Sequence, residues 1–127
     1  MSQYDEMLKN MPAGLDRAVL RIIGFHRGKI EAIGGEDLTR QVQVMGFAGI
    51  DNRTVREAIK ELRRSGQLIF SMPGEKGGYY LARDMSEYEN FKKTEYVAKI
   101  KDMSETLHAM DKAAREQFGD GVQERLF

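Results

Sequence analysis

Several residue types that carry chemistry or cross-links are rare or missing in this sequence. The 127 residues include no cysteine and only two histidines, which leaves no disulfide framework and no thiolate nucleophile or metal ligand. His26 and His108 each lack a second ligand at metal-binding spacing, and the glycine pairs lack the Lys-Ser/Thr of a phosphate-binding loop. The sequence therefore predicts no metal, no cofactor and no catalytic residue, so an enzyme is not expected.

Long apolar runs and an excess of charge of one sign are missing too. No stretch approaches the ~20 apolar residues of a membrane span, and the N-terminus lacks a basic region followed by an apolar one. We therefore expect a cytoplasmic protein without a membrane partner. The 20 Lys+Arg residues balance the 20 Asp+Glu residues, so any binding to a polyanion must depend on local clustering of charge.

Residues 51–66 are the most informative segment that is present. Asp51 or Asn52 can cap the start of a helix, and Gly66 can adopt the left-handed conformation that ends one. Between them, four apolar residues at helical spacing predict one buried face: Val55, Ala58, Ile59 and Leu62.

The opposite face of this predicted helix is basic. Five cations face two anions there: Arg53, Arg56, Lys60, Arg63 and Arg64, with Glu57 and Glu61. A helix that is apolar behind and rich in guanidinium groups in front suits the major groove of DNA, whose phosphates attract the charge and whose base edges accept bidentate arginine bonds. The alternative interpretation is an ordinary solvated face.

The elements around this helix follow a definite order. Residues 15–26 predict a first helix with His26 on its apolar face, and residues 36–44 predict a second with Leu38, Val42 and Met45 turned inward. Ala32-Ile33 predicts a short strand between them. After the basic helix, the apolar runs 68–70 and 79–81 flank the turn-rich segment 71–78, which predicts a β-hairpin.

This order over residues 15–84 resembles the winged-helix (winged helix-turn-helix) DNA-binding domains of phage and prophage type. The matching residues are Ala32, Ile33, Leu38, Arg53-Thr-Val-Arg56, Ala58, Ile59, Leu62, Arg63, Gly66, Gly77-Gly-Tyr79, Leu81-Ala82 and Asp84. The resemblance implies a mainly α fold with a small β-hairpin (α+β), a recognition helix at 52–64 and a wing at 71–78. It implies DNA contacts by Asn52, Arg53, Thr54, Arg56, Lys60, Arg64 and the wing residue Lys76.

The second half of the chain predicts one long helix over residues 86–118. Ser86-Glu-Tyr-Glu89 fits a capping box at its start. Steps of four and three residues then define a heptad seam: Tyr96, Ile100, Met103, Leu107, Met110 and Ala114. A narrow apolar seam requires one partner helix. We expect a homodimer, and packing back on the first domain is the alternative.

Short segments lie at both ends of the sequence. Residues 1–14 precede the first helix as an extension, and residues 119–127 follow the long helix as a flexible tail. The last five residues, 123–127, resemble the peptide by which bacterial replication and repair proteins bind the sliding clamp. Under that resemblance Leu126 and Phe127 fill an apolar pocket, and Gln123 hydrogen-bonds at its rim. Alternatively, the two apolar side chains pack under the long helix.

Two functions of different classes fit these patterns. The first is a double-stranded DNA-binding protein, either a transcriptional regulator or a replication-initiation factor, that places residues 52–64 in the major groove. The second is a protein-interaction adaptor that uses the long helix and the clamp-binding tail without touching DNA directly. The zero net charge favours the adaptor, whereas the clustered arginines favour DNA.

Overall fold

The computed structural model describes residues 14–75 and 77–119, and the chain divides after Tyr88 into two compact units. The elements of the first unit are α1 (Leu15–Ile23), a 3-10 helix (Lys29–Glu31), α2 (Gly35–Val44), α3 (Asn52–Arg64), β1 (Ile69–Met72), β2 (Gly78–Leu81) and the first turn of α4 (Met85–Phe91). The second unit contains the rest of α4, a π-helical segment (Lys92–Val97) and α5 (Ala98–Phe118). This content confirms the expected α+β class, with a small hairpin and a long C-terminal helix.

The core of the first unit lies between its three helices and the hairpin. The α1 helix packs against both α2 and α3, and α3 also contacts β1. Apolar residues at helical spacing supply the side chains, of which Leu20, Ile23 and Leu38 are among those fully enclosed. Each such side chain contributes about 1.5–3 kcal/mol through removal from water. Apolar packing therefore holds the three short helices together without a disulfide cross-link.

The hairpin is a two-stranded antiparallel sheet in which Ile69 pairs with Leu81 and Phe70 with Tyr80. The expected third strand at residues 32–33 is reduced to a single bridge, where Ile33 and Tyr79 exchange backbone hydrogen bonds of 2.8 Å. Gly78 lies beside this bridge at φ 151°, and a Cβ there would collide with the Ile33 carbonyl. The approach of residue 33 to the hairpin therefore depends on glycine at position 78.

The first helix is shorter than the sequence pattern predicted. It ends at Ile23, and the expectation that His26 lies on its apolar face is wrong. Instead the His26 carbonyl accepts a 2.8 Å hydrogen bond from the Leu81 amide, and its Nδ1 lies 2.7 Å from the Glu31 carbonyl oxygen. Residues 26–28 pair with β2 instead of continuing the helix. The His26 carbonyl and the Gly28 amide bond to Leu81, so they are not used in a further helical turn.

The second helix ends at Val44 as predicted, but the side chain that follows its end does not point inward. Leu38 and Val42 are fully buried, as expected, and α2 begins at Gly35. Met45 is 44% exposed, so its predicted inward orientation is wrong. Met45 caps the helix rather than continuing it, and Gly46 follows with φ 114°. The chain therefore turns away before the side chain at position 45 reaches the core.

The start of the long helical region differs from the predicted capping box by two residues. Asp84, not Ser86, is the cap, since its carboxylate accepts a 2.9 Å hydrogen bond from the Glu87 amide. This hydrogen bond is the main reason that the pKa of Asp84 lies below its ordinary value. The Glu87 carboxylate in turn accepts from the amides of Arg83 (2.9 Å) and Lys29 (3.2 Å). The first turn of α4 thus belongs to the first unit.

The second unit is helical throughout its described part, residues 89–119, apart from Gly119. Its π-helical segment was not predicted. Phe91 and Tyr96 are five residues apart, which matches the π-helical hydrogen-bond spacing, and their ring centroids lie 5.8 Å apart. No residue of α5 is buried. Among the described helices of both units, none combines the length and the apolar content required to cross a lipid bilayer.

Candidate nucleic-acid interface

The α3 helix begins at a well-formed cap. The Asp51 carboxylate accepts hydrogen bonds from the Thr54 amide at 2.8 Å and from the Thr54 hydroxyl at 2.7 Å. These two bonds, the hydroxyl bond first, hold the pKa of Asp51 below its ordinary value, and the nearby Arg53 charge adds a smaller effect. Because the carboxylate satisfies a free amide of the first turn, the helix has a fixed starting point.

The rotation of α3 about its axis is set by its buried face. The four predicted core residues are almost inaccessible, with exposures of 1–4%: Val55, Ala58, Ile59 and Leu62. At the far end Gly66 adopts φ 100°, the left-handed conformation that ends the helix as predicted. With both ends and one face fixed, the side of the helix opposite the buried stripe is turned outward.

Three cations on the outward side of α3 are available to a ligand. Arg53, Arg56 and Lys60 are all exposed. Within residues 14–75 and 77–119, none of them donates a side-chain hydrogen bond or forms an ion pair. We call the outward surface formed by these three residues and Arg64 the basic face.

The other two arginines of α3 are engaged. Arg64 lies 3.1 Å from Glu61 in a pair whose side chains are both well exposed, and such a pair contributes only about 0–1 kcal/mol. Arg63 points inward: its Nε donates a 2.7 Å hydrogen bond to the Ile69 carbonyl, and its Nη2 is buried without a partner in the described part of the chain. The placement of Arg63 on the outward face is therefore wrong.

Arg63 instead ties the last turn of α3 to the first residue of the hairpin. Its position four residues after Ile59 places it beside the buried stripe rather than opposite it, but this spacing does not decide which way its side chain turns. A link of this kind fixes the angle between helix and hairpin. The basic face and the hairpin consequently belong to the same compact unit and are joined by a direct hydrogen bond.

The other residues predicted to contact DNA are Asn52, Thr54 and Lys76, and each is in a different state. Asn52 is exposed at the first helical position, whereas the Thr54 hydroxyl is occupied by Asp51 and its side chain is half-buried. Lys76, expected at the wing tip, lies outside the described residues. On either side of it the hairpin loop turns through a 3.0 Å hydrogen bond from the Gly77 amide to the Gly74 carbonyl, and Glu75 is exposed.

The predicted seam of the long helix is exposed along most of its length. Ile100, Met103, Leu107 and Met110 are between 54% and 70% exposed, and we call these four residues the apolar stripe. Ala114 is half-buried, and Tyr96 lies in the π-helical segment with its ring against Phe91. Regular α-helical spacing therefore applies to the predicted seam only from residue 98 onward.

Several residues with a predicted role lie outside the described part of the chain. They are the clamp-binding residues Gln123, Leu126 and Phe127 and the N-terminal extension up to residue 13. In the part of the chain that the structure describes, no cluster of three or more histidine or carboxylate side chains is arranged to hold a metal ion.

Comparison with known proteins assigns no family to this chain. No protein-family model matches it, and no curated protein is significantly similar to it in sequence. The function must therefore be inferred from the residues themselves, and above all from the basic face of α3.

Proposed function

We propose that this protein binds double-stranded DNA by inserting α3 into the major groove, and that it acts as a transcriptional regulator or a replication-initiation factor. The observation that carries the proposal is the state of Arg53, Arg56 and Lys60, which are exposed and unengaged within the described residues. The helix that presents them is held by a cap, a buried stripe and the Arg63 link. Such a role requires a cytoplasmic location, which the lack of cysteine in the sequence fits.

The chemistry of the basic face suggests distinct tasks for its members. Arg53 and Arg56 can each donate two parallel hydrogen bonds to guanine O6 and N7, and Asn52 can bind adenine in the same bidentate way. Lys60 and Arg64 are suited to phosphates, which attract any exposed cation. Arg64 must exchange Glu61 for a phosphate, and this exchange costs little because their pair is exposed to water.

The hairpin supplies the second proposed contact. It follows α3 after four residues and is fixed to it by Arg63, so a ligand that meets the basic face also meets the wing, residues 71–78. Lys76 would reach a phosphate or the adjacent minor groove. Thr54 would contribute its methyl group rather than its hydroxyl, because the hydroxyl already donates to Asp51.

The decisive experiment removes one guanidinium at a time from the basic face. We expect Arg53→Ala and Arg56→Ala each to weaken binding to a duplex selected from a random library by about 1–3 kcal/mol, provided that the residue contacts a guanine. The matched control is Arg21→Ala, which removes an exposed arginine from α1 in the same unit. Equal affinity of all three variants and the parent protein would exclude α3 as the helix that recognises the bases.

We propose further that two copies pair through the apolar stripe. A stripe of four large apolar residues on an otherwise polar helix is the surface that a second helix covers in a coiled coil. A dimer would present two basic faces, double the DNA footprint and set the spacing of half-sites. The dimer would be as neutral overall as one chain, so its gain in affinity would come from two basic faces that bind one duplex together.

An adaptor function is the second candidate, and the apolar stripe is the observation that favours it. The same four residues would then receive a helix of another protein, and residues 123–127 would bind the sliding clamp. A pull-down with purified clamp, comparing the full chain with one that lacks residues 123–127, tests the anchor directly. Retention of the full chain alone, together with indifference to random duplex at low salt, would favour the adaptor over the DNA-binding protein.

A further inference from the structure

One carboxylate on the outward side of α3 differs from the other charged groups there, because it is an anion among cations. Glu57 lies four residues after Arg53 and three before Lys60, which places it among the cations of the basic face. It is exposed, and within the described residues it has neither an ion pair nor a hydrogen-bond partner for its carboxylate. Glu61, the other acidic residue of this helix, is paired with Arg64 at 3.1 Å.

The position of Glu57 follows from the burial of the opposite face. The residues at 55, 58, 59 and 62 face the core, so at 100° per residue position 57 points within about 30° of directly away from it, on the same outward side as Arg53 and Lys60. A side chain there faces the bases when the helix lies in a groove. One of the outward positions of the proposed recognition helix is therefore occupied by an anion.

An unpaired carboxylate in the major groove discriminates strongly between bases. It repels phosphates and the acceptor atoms of guanine and thymine, which line most of the groove edge. The cytosine N4 amino group is a donor with no neighbouring acceptor on the same base edge, and Glu and Asp accept from it. Adenine presents a donor beside an acceptor and suits an amide better than a carboxylate.

We infer that Glu57 is a specificity-determining residue that selects a cytosine within the DNA site. The inference rests on the proposed function, because it assumes that α3 enters the major groove. Arg53 and Glu57 are separated by about 6 Å along the helix axis, given a rise of about 1.5 Å per residue. Base pairs are about 3.4 Å apart, so the selected cytosine lies within about two base pairs of the base that Arg53 contacts.

The test combines duplex selection with two substitutions at position 57. The parent protein should enrich one position for cytosine and lose roughly 5- to 150-fold in affinity when any other base replaces it. Glu57→Ala should abolish this preference at that position alone while binding random duplex more tightly. Glu57→Gln should change the preferred base from cytosine to adenine, since glutamine pairs with adenine N6 and N7.

Glu61→Gln is the matched control, because it makes the same chemical change one turn along the same helix. It should leave the cytosine preference in place. An unchanged base preference in both position-57 variants, with uniformly tighter binding, would overturn the inference and leave DNA binding standing, since Glu57 would then be only a repulsive surface charge. If the parent protein shows no salt-dependent affinity for any duplex, the proposed function fails as well, so the two failures are distinguishable.

Discussion

The helices α3 and α5 have the same kind of sequence pattern, but their apolar faces differ in burial. Both have apolar residues at helical spacing on one side and charged residues on the other. In α3 that apolar face is at most 4% exposed, because α1, α2 and β1 cover it. In α5 the corresponding residues are at least 54% exposed. An amphipathic pattern therefore predicts that a helix needs a partner, but it does not say where the partner comes from.

The contrast extends to the two units. Every hydrophobic residue found buried among those described lies between Ala18 and Leu81, in the first unit. The described part of the second unit buries none. In proteins most helical stability comes from packing of an amphipathic face, so α5 is expected to gain its stability from a contact outside residues 89–119. Two copies of the chain supply such a contact under the proposed dimer.

The largest expected effect comes from truncating one leucine in each helix. Leu62→Ala should lower the free energy of unfolding by about 2–5 kcal/mol, because it leaves a cavity in a packed core. Leu107→Ala, at a side chain that is 54% exposed, should change it by no more than about 0.5 kcal/mol at low protein concentration. Urea denaturation of both variants measures the difference. Similar losses at low concentration would show that α5 is covered within one chain.

A charge placed on the apolar stripe tests what covers it. We expect Leu107→Glu to halve the molecular mass of the protein in sedimentation equilibrium, because a coiled-coil seam excludes paired like charges. Lys112→Glu introduces the same side chain on an exposed position of the same helix away from the stripe, and it should leave the mass unchanged. A parent protein that stays monomeric at high concentration would remove the dimer from consideration.

The smallest effect concerns the cap of α3 and its dependence on pH. The pKa of Asp51 is lowered in the folded chain by the Thr54 hydrogen bonds, so the carboxylate stabilises the fold above its ordinary pKa of 3.8 and loses that effect as the pH falls through the lower folded value. Asp51→Asn should keep the cap at neutral pH, since asparagine also caps well, and reduce the loss of stability in acid. Urea denaturation at pH 7 and near pH 3 compares the two proteins. Equal acid sensitivity would show that this carboxylate does not couple to folding.

Much of the fold was predictable because short-range patterns specify it. The buried stripe of α3, the left-handed Gly66 and the hairpin between two apolar runs each follow from spacing and from the conformational preferences of single residues. The errors of prediction differ in origin. His26 pairs with Leu81, a partner distant in sequence, and so lies outside its predicted helix. Asp84 caps α4 in place of Ser86 through the Glu87 amide three residues away, while the Glu87 carboxylate also accepts from the distant Lys29 amide.

The candidate site divides in the same way. Periodicity alone identified Arg53, Arg56 and Lys60 as outward residues, and their exposure agrees with it. It failed for Arg63, because a long side chain at the edge of a helical face can turn either way, and the choice depends on whether an acceptor such as the Ile69 carbonyl is within reach. The π-helical turn near Tyr96 was equally unpredictable from a heptad pattern.

The sequence by itself determined which faces of the helices are apolar, where α3 begins and ends, and that a hairpin follows it. Those properties depend on interactions between residues a few positions apart, so the local order of the residues is enough to specify them. Tertiary structure alone decided that Arg63 turns inward to the Ile69 carbonyl while Arg53 stays exposed, and that residues 26–28 join the hairpin rather than α1. Such outcomes depend on which groups meet in space, because a buried donor must find its acceptor wherever the fold has placed it.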